Sequence, residues 1–122
     1  MTNKKVLIVE SDRWLSEQYQ RVLVAAGYQT TVVAHSLAAM QAIDNTKPDV
    51  VILDILITGT TAFTLMHELQ SYDDTGTIPI IICTNLASDL SLKDLEPYGV
   101  KKILDKTKMV PNDMVIALKS VV

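Results

Sequence analysis

A doubly wound α/β domain with a five-stranded parallel sheet is the fold class this sequence predicts, and three observations lead to it. Five short apolar runs, at residues 6–9, 31–34, 50–53, 78–83 and 100–104, most of them rich in Val and Ile, read as buried strands. The spacers between them carry apolar residues at helical spacing. The β-α alternation then repeats five times, and under the right-handed crossover rule it places helices on both faces of a parallel sheet in strand order 2-1-3-4-5.

After the first strand, Leu15, Tyr19, Val22, Leu23 and Ala26 recur along one helical face, and Gly27 is the expected stop. Ala62, Leu65, Met66 and Leu69 repeat that pattern after the third strand, while Leu86, Leu90 and Leu95 suggest a helix after the fourth. The last helix is predicted to open at Pro111, where a first-turn proline is tolerated, and to bury Met114, Val115 and Leu118. Residues 71–77 form a polar surface loop. No repeat, low-complexity tract or linker divides the chain, so residues 1–122 are expected to be a single domain that stands alone.

A length of 122 residues with 48% apolar content supports one real core. With 11 basic and 14 acidic residues the net charge is -3, and no dense Lys/Arg block exists, which argues against direct nucleic-acid binding. Cys83 is the only cysteine and sits inside an apolar run, so a buried, reduced thiol is expected. The apolar stretch after Lys4 and Lys5 is too short for a signal-peptide core. The stretch 50–57 is interrupted by Asp54 and falls short of the roughly 20 residues a spanning helix needs, so a soluble, cytoplasmic protein without a membrane partner is expected.

The informative pattern lies at the strand exits. Glu10, Ser11 and Asp12 follow the first strand, Asp54 the third, Thr84 the fourth and Lys106 the fifth. In a parallel sheet all carboxyl ends share one edge, so these residues must gather in one crevice. Carboxylates with a hydroxyl and an ammonium suit phosphoryl transfer onto an aspartate. Asp54 is the candidate nucleophile, its acidic neighbours candidate Mg²⁺ ligands, Lys106 a neutraliser of transferring charge, and Thr84 a donor to a phosphoryl oxygen. A hydroxyl drawn toward new charge also offers a switch.

The segments VLIVESD, VVILD, IPIIICT and ILDK, in this order and spacing, resemble the signature segments of the receiver domains of two-component response regulators, the CheY-like fold, and the likeness spans the whole chain. The resemblance implies Asp54 as phosphoacceptor, Glu10 and Ser11 at the acidic pair, Thr84 as switch hydroxyl, Lys106 as the family's lysine and Leu56 as the residue whose backbone carbonyl completes the Mg²⁺ site. It also implies a sensor histidine kinase or phosphotransfer protein as donor. A downstream protein would be bound by the face of the fourth helix, fifth strand and fifth helix. Such a domain is a signalling phosphoacceptor rather than an enzyme, capable at most of self-phosphorylation and autodephosphorylation.

Ser11 departs from the family, which usually has a metal-binding carboxylate there. Loss of that ligand is expected to weaken Mg²⁺ binding by at least about 10 to 100-fold, while easing repulsion by up to roughly 4 kcal/mol per close pair of carboxylates. Asp12 is the alternative ligand, against an expected role at the helix start; Ser11 is itself read as a helix N-cap. Thr58, Ala62, Asn85 and Thr107 are further departures, and Ile103 replaces the aromatic that switches in many members. His35, His67 and Trp14 are read as surface, surface and packing residues, with Trp14 near the pocket mouth as a fluorescence reporter. Two functions compete: a receiver with weakened Mg²⁺-dependent phosphorylation, and a pseudo-receiver that acts as a phosphorylation-independent interaction module.

Overall fold

The strands form because their residues bury on both faces, and the alternation of those faces divides the core. In the computed structural model, which describes residues 3–57, 59 and 61–122, Leu7, Val9, Val51, Leu53, Ile80 and Ile82 turn to one side, while Val6, Ile8, Val50, Ile52, Ile81 and Cys83 turn to the other. The elements run β1 (Lys5–Val9), α1 (Arg13–Ala25), β2 (Gln29–Val33), α2 (Ser36–Thr46), β3 (Val50–Leu53), α3 (Ala62–Gln70), β4 (Ile80–Thr84), α4 (Leu92–Leu95), β5 (Val100–Asp105) and α5 (Pro111–Val121). All neighbouring strands pair in parallel in the order β2-β1-β3-β4-β5, as the crossover rule predicts.

Ala39, Ile43, Leu65, Met66 and Leu69 from α2 and α3 cover the first face. Tyr19, Leu23, Met114, Val115 and Leu118 from α1 and α5 cover the second. These include the helical positions expected from the periodicity, and Gly27 ends the first helix at φ 96°. Among the described residues no helix is long and apolar enough to cross a membrane.

Two strands begin two residues away from their expected starts, and other strand ends shift by one residue. β2 begins at Gln29 because that residue pairs with Lys5, although its threonines hide the strand from a search for Val and Ile. Ile78 belongs to the preceding turn, donating its N–H to Thr75 O at 3.1 Å, so β4 starts at Ile80.

The predicted fourth helix is a larger correction. It is broken into a 3₁₀ turn (Ala87–Asp89), the single turn of α4 and a second 3₁₀ turn (Glu96–Tyr98). Leu90 is extended at φ -110° and ψ 149°, which separates the first two pieces, and Pro97 with Gly99 at φ 89° closes the third. Leu90 and Leu95 still pack on the core, so the apolar spacing reported burial without a continuous helix.

Candidate functional site

β1, β3 and β5 each extend by one backbone hydrogen bond beyond their last residue, and those extensions carry Glu10, Asp54 and Lys106, while Thr84 is the last residue of β4. Glu10 N–H donates to Val33 O at 3.0 Å, Asp54 N–H to Val9 O at 3.2 Å and Lys106 N–H to Thr84 O at 3.1 Å. The register sets Val9 beside Leu53 and Thr84 beside Asp105, so Glu10, Asp54, Thr84 and Lys106 converge at one end of the sheet. All the strand-exit candidates except Ser11 and Asp12 are brought into this buried cluster.

Lys106 is the centre of the arrangement. Its Nζ reaches Asp54 Oδ2 at 2.5 Å and also pairs with Glu10 Oε1. The three side chains are 7%, 7% and 4% exposed, so this pair of contacts is desolvated. The remaining carboxylate oxygens are held by backbone: Asp12 N–H donates to Glu10 Oε2 and Leu56 N–H to Asp54 Oδ1, each at 3.1 Å. Burial by itself would depress the Lys106 ammonium's pKa, yet the hydrogen bonds and charges of Asp54 and Glu10 outweigh burial and raise it. Lys106 therefore stays charged throughout the neutral range.

Thr84 is fully buried, and its Oγ1 accepts from Leu86 N–H at 3.3 Å, which fixes the turn after β4. Asp12 keeps its expected place at the helix start and also takes the cap expected of Ser11. Asp12 is the N-cap of α1, accepting from Leu15 N–H at 3.1 Å, because its short carboxylate reaches the free N–H of the third helical residue. Ser11 is not that cap: it lies outside the helix, and its Oγ donates to Ala34 O at 3.2 Å, tying the β1-α1 turn to the end of β2. His35 caps α2 through Nδ1, and both His35 and His67 are exposed as expected. Thr58 lies outside the described residues.

The family uses Mg²⁺, and the donor set here does not fit a dication as it stands. Both carboxylates face the Lys106 ammonium, all four of their oxygens accept hydrogen bonds or ion pairs from the chain, and Ser11 and Asp12 are engaged elsewhere. Among the described residues no group of three or more His, Cys, Asp and Glu side chains is gathered for a metal.

Sequence reasoning missed three participants. Asp105 accepts from Thr107 Oγ1 at 2.6 Å and Thr107 N–H at 2.9 Å, bonds that lower its pKa and shape the turn directly after Lys106. The Asp-x-Thr spacing was a legible turn signal. Tyr19 and Met109 were not legible as site neighbours: Cys83 Sγ lies 3.7 Å from the Tyr19 hydroxyl and 3.5 Å from Met109 Sδ. Burial, then Cys83, raises the Tyr19 pKa. Tyr19, Met109 and Lys106 line a cavity of about 230 Å³ with Trp14 and Pro111. Trp14 is 67% exposed on its rim, so it is not the packing residue expected of a helical tryptophan.

The response regulator receiver domain family matches residues 6–119, and the chain belongs to that family. It is 30% identical over 122 residues to the phosphate regulon transcriptional regulatory protein PhoB of Pseudomonas aeruginosa, covering 99% of this chain and 52% of that protein. To the transcriptional regulatory protein BaeR of Escherichia coli it is 28% identical over 116 residues, covering 87% of this chain and 47% of that protein. The chain thus spans about half the length of the curated relatives it matches. Among solved structures, the BeF3-activated N-terminal receiver domain of Klebsiella pneumoniae RstA superposes with a TM-score of 0.83 at 25% identity, covering 97% of both chains. The chemotaxis response regulator CheY4 of Vibrio cholerae shares the fold, with a TM-score of 0.86 at 22% identity over 99% of this chain and 100% of that one. The chain is a receiver domain of two-component signalling, a class that interacts with histidine kinases or phosphotransfer proteins.

Proposed function

We propose that Asp54 is the phosphoacceptor of this receiver, taking a phosphoryl group from a sensor histidine kinase or phosphotransfer protein with reduced efficiency. The single observation that carries this reading is the desolvated contact of Lys106 Nζ with Asp54 Oδ2 at 2.5 Å. An ammonium already on the carboxylate is positioned to neutralise charge as a phosphoryl group arrives. In the step, an Asp54 oxygen forms a bond to phosphorus, the donor's bond to phosphorus breaks, and the donor leaves with that electron pair. Thr84, whose Oγ1 accepts from Leu86 N–H, would donate its hydroxyl proton to a phosphoryl oxygen. A downstream protein would then sense the face built from α4, β5 and α5. Ile103, half-buried and aliphatic, cannot relay the change by an aromatic flip.

One observation favours the second reading, a pseudo-receiver acting through its surfaces alone. Ser11 donates to Ala34 O and supplies no carboxylate to the pocket. Intact-protein mass after incubation with Mg²⁺ and a small acyl phosphate separates the two. One added phosphoryl group, absent in Asp54→Ala, supports the phosphoacceptor. No addition in the wild type, with addition restored by Ser11→Asp, supports the pseudo-receiver.

A further inference from the structure

The acidic pocket pairs its two carboxylates with one ammonium supplied by the chain itself. Glu10 and Asp54 bring two negative charges, and the ammonium of Lys106 sits on both, which leaves one net negative charge in a largely desolvated space. A dication placed on the same oxygens would turn the pocket net positive and would stand a few ångströms from the ammonium, with little solvent to screen the repulsion. A carboxylate at position 11 would change this balance, because the pocket would then carry two net negative charges, which one dication neutralises. Position 11 instead carries a serine whose hydroxyl bonds Ala34 O and fastens the β1-α1 turn to β2.

We propose that Lys106 is the resident cation of this pocket, held between Glu10 and Asp54 in place of a divalent ion, and that pocket charge is what excludes Mg²⁺. This rests on reading the pocket as the receiver site but not on whether Asp54 is phosphorylated. Two explanations of metal exclusion make different predictions. If the missing ligand at position 11 decides, only a new carboxylate there restores binding. If charge decides, removing the ammonium restores binding equally, although it adds no ligand.

The experiment is a Mg²⁺ titration, without any phosphodonor, followed by calorimetry and by the amide shifts of Glu10, Asp54, Leu56 and Lys106. It compares wild type, Ser11→Asp, Lys106→Met and Lys106→Gln, each first checked for a cooperative thermal transition. The expected result is a Mg²⁺ affinity at least about tenfold higher in Ser11→Asp and in at least one Lys106 variant than in wild type, the scale on which metal sites respond to lost partners. Mg²⁺ should also raise the melting temperature of those variants and leave the wild type unmoved. A gain in Ser11→Asp alone, or a wild type that binds within threefold of Ser11→Asp, overturns the proposal. Because no phosphodonor is present, failure here is separate from failure of the phosphoacceptor reading, which the mass measurement tests.

Discussion

Cys83 shows how one side chain's chemistry follows from its place in the sheet. It is the penultimate residue of β4, 1% exposed, with its sulfur between Tyr19 and Met109. Burial chiefly pushes its thiol pKa up to about 11, against smaller opposing pulls from Tyr19 and Lys106. Since the folded value is raised, the stability from holding a neutral thiol is complete below the unfolded value and is lost as pH rises through the folded one. At pH 8 a thiol-disulfide reagent should therefore label the folded protein about 100-fold more slowly than the urea-unfolded chain, because the thiolate fraction differs by roughly that factor. Rates within tenfold of each other would show an open, ordinary thiol. The sequence made Cys83 legible as buried through its apolar neighbours. Its sulfur and hydroxyl partners lie 26 and 64 residues away and could be found only by packing.

At the scale of elements, the connection between β4 and β5 is the most broken of the helical connections. α1, α3 and α5 each present several buried residues to the sheet, whereas the 86–99 connection is divided into three short pieces anchored chiefly by Leu90 and Leu95. Short helical turns close few backbone hydrogen bonds and open locally at low cost. Amide hydrogen exchange should be at least about tenfold faster across residues 87–94 than across Leu65–Leu69 of α3. Equal protection would mean that the pieces are cooperatively locked. Periodicity could not foresee the breaks, because Leu90 and Leu95 are buried whether or not the backbone between them is helical.

For the whole molecule, the buried ion pairs join the ends of three strands, since Glu10 follows β1, Asp54 follows β3 and Lys106 follows β5. Removing the ammonium strands two carboxylates at 4% and 7% exposure. Lys106→Met should lower unfolding free energy by roughly 3 kcal/mol, the range seen when one partner of a buried pair is deleted. Urea denaturation in metal-free buffer measures it, and a loss below about 1 kcal/mol would indicate a solvent-screened pair of the kind found on surfaces. Added Mg²⁺ should recover part of that loss if the charge argument holds.

The sequence by itself determined the fold class, the strand order and the residues that share the carboxyl edge of the sheet, because burial period and crossover handedness leave few alternatives for five β-α repeats. It also determined that Asp54, Thr84 and Lys106 lie at one edge of the sheet, since strand exits in a parallel sheet have one common edge. Only the tertiary structure decided how the acids are used. Asp12 rather than Ser11 caps α1, Ser11 reaches across to β2, and one ammonium holds both carboxylates. Those outcomes depend on side-chain reach over distances of a few ångströms between residues far apart in the chain. A linear pattern of residue types fixes which groups meet, but not which oxygen each donor takes.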